Sequence, residues 1–132
     1  MNGTDFRVFY EQYGLFKLAS YLKIQPSDIK HISKTKPTHP YDLYYRGTRV
    51  DVKYSHPVIV QKGKKAIWDF NLRKVKEGKR SGQQGDYCDH FLLIGMHNGI
   101  PKAVFFIPSK KAPTNHIRIS ISGDSKYNQY VI

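Results

Sequence analysis

The sequence predicts an α/β fold, with one N-terminal helix packed on a central mixed sheet of about five strands and residues 1–132 forming a single domain. Three observations point there. A helical apolar period opens the chain, and no strand-like segment precedes it. From residue 41 onward, alternating or continuous apolar runs follow one another, each bounded by turn residues. The composition is 39% hydrophobic and 14% aromatic, enough to fill a core.

The helix is read over Asp5 to Lys23, where Phe6, Phe9, Tyr10, Tyr13, Phe16, Ala19 and Leu22 recur at helical spacing. Leu15 and Leu18 widen that face, so the helix is expected to be buried on most sides. Thr4 is placed to cap it, Gly14 weakens it slightly, and Gln25-Pro26-Ser27 ends it. Ile29 to Ser33 reads as a short strand and Lys34 to Pro40 as a loop. Tyr41 to Tyr54 alternates around Arg46-Gly47, which is a β-hairpin signature. Gln61 to Lys65 is a basic loop, and Ala66 to Leu72 is a strand. Arg73 to Gly85, polar and glycine-containing, reads as a loop with a short helix in it. His90 to Met96 is a nearly continuous apolar run, as in a strand buried on both faces. Asn98-Gly99 turns it into a partner strand, Lys102 to Ile107. Ile117 to Ser122 is the last strand, and Ser125 to Tyr130 is a final helical turn.

Charge narrows the function. Lys and Arg number 22 against 10 Asp and Glu, a formal +12, and a cationic surface of that density attracts polyanions, nucleic acid first among them. No apolar run reaches the length of a membrane span, and the first residues lack the pattern of a secretory signal. A single cysteine, Cys88, cannot form an internal disulfide. These features lead us to expect a cytoplasmic protein that is neither secreted nor membrane-bound.

The pattern acid–any residue–Lys occurs four times, at Asp28/Lys30, Asp51/Lys53, Glu77/Lys79 and Asp124/Lys126. Only Asp51/Lys53 lies inside a clear strand with a second Asp shortly before it. Alternation puts Asp51 and Lys53 on one face and Val50 and Val52 on the other. A tight turn at Arg46-Gly47 pairs Tyr45 with Thr48, Tyr44 with Arg49, Leu43 with Val50 and Asp42 with Asp51. One register therefore gathers the apolar set Leu43, Tyr45, Val50 and Val52 and the polar set Asp42, Asp51 and Lys53. In it, the two aspartates face each other with Cα atoms about 4.5 Å apart. Facing carboxylates repel unless a cation lies between them. Oxygen ligands suit a hard ion, so Mg²⁺ is the expected cofactor, with Mn²⁺ its substitute. Lys53 beside it would stabilise a charged transition state or help activate water.

The segments Pro40-Tyr-Asp-Leu43 and Val50-Asp-Val-Lys-Tyr-Ser55 resemble the PD-(D/E)XK nuclease superfamily. Its pattern is an Asp, a spacer, then an acid, any residue and Lys, and the spacer here is the eight residues 43–50. With Trp68 and the later Phe105-Phe-Ile-Pro-Ser109, the likeness is closest to the restriction-like and intron-associated homing branch. One departure stands out: Tyr41, not proline, precedes Asp42. The resemblance implies a restriction-endonuclease-like core and a divalent-metal-dependent DNA endonuclease, whether restriction-like, homing or junction-resolving. Asp42 and Asp51 would bind metal and Lys53 would support hydrolysis. The family often adds a helix Glu, which here can only be Glu11 as a further metal ligand. Glu11 aligns with Leu15, Leu18 and Leu22, so either the helix presents it inward or it faces solvent near the helix N-terminus, where the dipole favours it. The alternative is a non-catalytic nucleic-acid-binding module on the same fold.

DNA contacts are expected from Lys62, Lys64 and Lys65 and from Arg73, Lys74, Lys76, Lys79 and Arg80, which cluster on either side of one strand. Gln83 and Gln84 are further candidates, as is Ser55, which shares the polar face of Lys53. One site nicks one strand, so duplex cutting implies a homodimer or higher homo-oligomer.

Overall fold

A computed structural model describes residues 3–36, 39–76, 79–83, 88–113 and 115–132, with the side chains of 3–5 and 73–83 outside the description. The elements are α1 (Gly3–Leu22), β1 (Lys30–His31), β2 (Leu43–Tyr45), β3 (Thr48–Ser55), β4 (Pro57–Val60), β5 (Lys65–Asn71), β6 (Arg73–Lys76), β7 (Lys79–Gln83), β8 (His90–His97), β9 (Ile100–Pro108) and β10 (His116–Ser120). Short 3-10 turns lie at Pro26–Asp28, Ile32–Lys34, Ser109–Lys111 and Lys126–Tyr130.

The fold is α/β. Five strands form a mixed sheet in the order β1-β2-β3-β8-β9, in which only β3 and β8 run parallel. A second, antiparallel sheet has the order β10-β5-β4. The helix packs on one face of the larger sheet. Tyr10, Leu15, Leu18 and Ala19 meet Leu43, Val50, Leu92, Ile94 and Met96 there. The smaller sheet covers the other face, where Trp68, Phe70, Ile117 and Ile119 meet Phe91, Leu93, Phe105 and Ile107. β8 lies between two apolar layers, which is why its sequence is continuously hydrophobic rather than alternating.

The hairpin forms in the expected register, with Leu43 opposite Val50, Tyr44 opposite Arg49 and Tyr45 opposite Thr48. Arg46 and Gly47 both take positive φ, the two-residue turn that matches strand twist. The ladder stops at Leu43, however, and Asp42 is not a paired residue opposite Asp51. Its N–H donates to the Val50 carbonyl at 2.9 Å instead.

Four further expectations are corrected. The helix begins at Gly3, so Thr4 lies within it and not ahead of it as a cap. Nor is the helix buried on most sides, because Phe6, Phe9, Phe16 and Tyr21 are exposed. Aromatic residues all around α1 obscured which stripe meets the sheet. Residues 73–76 and 79–83 form a two-stranded ribbon, not a loop with a short helix. With Val75 its one large apolar residue, that ribbon has no apolar alternation to reveal it. Finally, Pro57–Val60 is a strand that sequence reading passed over, since four residues carry too little period. Its proline sits at the first position, where no ladder donor is needed.

The two faces of β8 are held close by glycine. A Cβ on Gly95 would lie 2.5 Å from the Trp68 ring, whose Nε1 donates to the Met96 carbonyl at 2.8 Å. The buried indole has no room to retreat. Gly95→Ala is expected to cost about 1–3 kcal/mol through overpacking, read by urea denaturation. An unchanged midpoint would show that the layers are not in contact as described.

Candidate functional site

The site lies where β3 outruns its neighbour. Residues 50–55 of β3 pair with β8 on one side. On the other, pairing with β2 stops at Val50, opposite Leu43, and among the described residues no strand continues it. Asp42 sits at this step. Its Oδ2 accepts from the Val52 N–H at 2.8 Å, so a carboxylate takes the place of the next ladder carbonyl. Its own carbonyl accepts from Ile32 N at 2.8 Å and Ser33 N at 3.4 Å, which fixes it to the 3-10 turn.

Asp51 projects from β3 on the side away from α1. It is 7% exposed, and its Oδ2 is buried with no hydrogen-bond partner among the described residues. Lys53 Nζ lies 3.3 Å from that oxygen, an ion pair without hydrogen-bond alignment. Burial, then the Asp51 and Glu11 charges, push the Asp42 carboxyl up to about 8, against one favourable bond from Val52. The buried Cys88 thiol is likewise pushed up to about 12, by burial first and the Asp51 charge second, so it remains a thiol.

Glu11 is presented inward and is 4% exposed. Its Oε1 receives Ser33 Oγ at 2.7 Å and Arg7 Nη1 at 3.0 Å, with His31 Nε2 at 2.9 Å. Arg7 also reaches Oε2 at 3.1 Å and the Ser33 carbonyl at 3.3 Å. His31 is steadied by Gln12 Oε1, 3.2 Å from its Nδ1. Burial disfavours the charged Glu11, but the bonds from His31 and Ser33 and the Arg7 charge outweigh it and hold the carboxyl below its usual range. Sequence reasoning did not find Arg7, His31 or Ser33. The signal available for them was a Glu on an apolar helix stripe, which must find donors if it faces inward.

The donor set is hard oxygen, with one buried oxygen lacking a donor among the described residues and a neighbouring carboxyl raised first by burial and then by its like-charged neighbours. That environment fits a small divalent cation. Among the described residues, no three His, Cys, Asp or Glu side chains gather at coordinating spacing. Asp42 and Asp51 are thus the pair available to an ion that keeps most of its waters, while Glu11 Oε1 is already shared among three partners.

The other candidates separate. Ser55 is buried, its hydroxyl donating to the His56 carbonyl at 2.8 Å and accepting from Asp69 N at 3.1 Å, so it ties β3 to β5 and offers no exposed hydroxyl to a phosphate. Lys62 and Lys64 are exposed in the β4–β5 turn, and Lys65 is exposed at the start of β5. The backbone places Arg73, Lys74 and Lys76 on β6 and Lys79, Arg80 and Gln83 on β7, with their side chains outside the description. Gln84 lies outside the described residues. No described helix is long and apolar enough to cross a membrane. Comparison with protein-family models, curated proteins and solved structures gives no match for this chain.

Asp42→Asn tests the electrostatics without any assay of function. The folded carboxyl, at about 8, lies above its ordinary 3.8. Below the ordinary value both folded and unfolded chains hold the proton. As pH rises toward 8, the unfolded chain releases it first, so wild-type stability falls across that window and levels off above it. Asn carries no proton to lose and can still accept from Val52. In EDTA the variant should gain on wild type progressively from pH 4 to pH 8, by up to a few kcal/mol, read from thermal melts. A constant difference would exclude the coupling.

Proposed function

We propose that this protein is a Mg²⁺-dependent endonuclease that hydrolyses DNA phosphodiester bonds. The observation that carries the reading is the buried Asp51 Oδ2, without a hydrogen-bond partner among the described residues, with Asp42 and Lys53 both interacting with that carboxylate. The PD-(D/E)XK resemblance of residues 40–43 and 50–55 supports it, as does the +12 charge.

In this reading Asp42 and Asp51 hold the metal. When bound, the ion supplies Lewis acidity toward the phosphate and lowers the pKa of a coordinated water. Lys53, its side chain 23% exposed, is the cation able to face a phosphate while remaining tethered to Asp51. Glu11 is a third carboxylate in direct contact with Asp42, held there by Arg7, His31 and Ser33. The exposed Lys62, Lys64 and Lys65, with the basic β6–β7 ribbon, supply sequence-independent backbone contacts. A homodimer would bring two such sites to opposite strands.

Supercoiled plasmid incubated in Mg²⁺, Mn²⁺ and EDTA, beside Lys53→Ala, tests the activity. Cleavage is expected with either metal and not in EDTA, with a loss of about 10²-fold or more in the variant. Mn²⁺ titration by calorimetry guards against a plasmid that lacks a preferred site: binding should occur in wild type and vanish in Asp51→Ala. Salt-sensitive DNA binding without metal binding or cleavage would instead support the non-catalytic module. Sedimentation tests the assembly, and a strict monomer that makes double-strand breaks would exclude the dimer.

A further inference from the structure

The fold gathers cations that lie far apart in the sequence. A concavity of about 500 Å³ lies where the β4–β5 turn and the start of β5 meet the end of β10 and Lys102 of β9. Lys64, Lys65 and Lys102 line it, together with Ser120 and Ser122. A second concavity, of about 320 Å³, shares Gln61, Lys65 and Ser120 with the first and adds Arg118 of β10. Ile117 and Ile119 point into the core, so alternation turns Arg118 and Ser120 to the outer face of the smaller sheet. The two concavities therefore form one groove, which runs from the end of that sheet onto its outer face.

The lining is rich in donors and poor in negative charge. Among the described residues, Lys64, Lys65 and Lys102 have no ion-pair partner. Arg118 meets Asp69 at 3.5 Å, with its side chain 68% exposed. Asp124 is the one carboxylate among the described lining residues, and it pairs with none of the lysines. Ser120 is buried, and its Oγ lies 2.8 Å from Ser122 Oγ. One hydroxyl donates in that bond, and the other keeps its proton for an outside acceptor. Gln61, which lines both concavities, is held at φ 54°, where glycine is usual. Lysines gathered without acids repel one another, and an anion entering the groove relieves that repulsion. Two joined concavities with four cations exceed what one isolated anion needs and suit successive phosphates of one strand. A flat lipid surface would meet the rim of such a groove and not its floor, where the buried Ser120 lies.

We infer that this groove holds the phosphate backbone of a nucleic-acid strand, with Lys65, Lys102 and Arg118 as its strand-borne cations and the Ser120–Ser122 pair as a neutral donor. It rests on the nuclease reading for the identity of its polyanion, and it contributes affinity, not chemistry. A labelled duplex oligonucleotide is titrated by fluorescence anisotropy in EDTA over a range of NaCl concentrations. The proteins are wild type, Lys65→Ala, Lys102→Ala, Lys102→Arg, Ser122→Ala and Lys23→Ala. Lys23, exposed just after α1 and outside the groove, controls for net charge. Lys65→Ala and Lys102→Ala should each lose about 3- to 10-fold in affinity, and the slope of log affinity against log salt should become shallower by about 1. Lys102→Arg should bind as wild type, and Lys23→Ala should keep the wild-type slope. Ser122→Ala should lose about 2- to 10-fold with its slope unchanged. A loss in Lys23→Ala equal to that of the groove lysines overturns the groove, because net charge alone then accounts for binding. So do groove variants that bind as wild type, and either result leaves the nuclease reading intact. Loss of binding to phosphatidylserine vesicles in the groove variants, with DNA affinity unaltered, assigns the groove to a lipid surface and overturns it too. Wild type that cleaves plasmid in Mg²⁺ yet shows no salt-dependent DNA binding overturns the groove alone; failure of both binding and cleavage overturns both readings.

Discussion

An ionised carboxylate buried between a helix and an apolar sheet is the constraint that organises one side of this molecule. Taking such a group out of water costs several kcal/mol unless opposite charge and donors meet it. Glu11 is met three times over, by Arg7 one turn earlier on α1, by His31 on β1 and by the Ser33 hydroxyl. β1 has only two residues and would be a weak edge strand by itself. Its docking to the helix through His31 gives it a second attachment. The same 3-10 turn that supplies Ser33 Oγ to Glu11 supplies backbone N–H groups to the Asp42 carbonyl. Asp42 in turn bonds Val52 on the central strand. A continuous run of hydrogen bonds therefore leads from α1 to β3, and the carboxylates stand along it.

The alternation of β3 does the remaining positioning. Val50 and Val52 belong to the helix-facing core, which anchors the strand. Asp51 and Lys53 are thereby committed to the opposite side. Slipping the strand by one residue would bury Asp51 and Lys53 beneath the helix and expose two valines. Core packing and site geometry are thus two faces of one register.

This coupling explains what was legible in the sequence. The hairpin could be read from Leu43 to Val50 because the apolar set and the tight turn demanded the same pairing, while the facing of Asp42 and Asp51 that the polar set also demanded did not form; Asp42 nonetheless distinguished one acid–Lys pair from three others. Glu11 was legible as an anomaly on its stripe, though its partners were not: Arg7, His31 and Ser33 meet through long-range packing that no local period records. The departure of Asp42 from the ladder was hidden for a related reason, since a side-chain oxygen that replaces a backbone carbonyl leaves no trace in a pattern of residue types. The β6–β7 ribbon and β4 were missed where strands are short or lack an apolar face, the condition under which alternation disappears. The outward Phe9 and Phe16 misled because a large ring usually reports burial.

The open edge of β3 also bears on association between chains. An unpaired strand edge in the middle of a sheet is a template for aggregation, because its free N–H and C=O groups will accept a strand from another chain. Here the Asp42 carboxylate occupies the Val52 N–H, and Asp51 and Lys53 put charge along the same segment. The residues proposed to cut DNA are also gatekeepers against intermolecular pairing. Selection for solubility alone would resist their loss, so their retention in a chain that had ceased to be an enzyme would not be surprising.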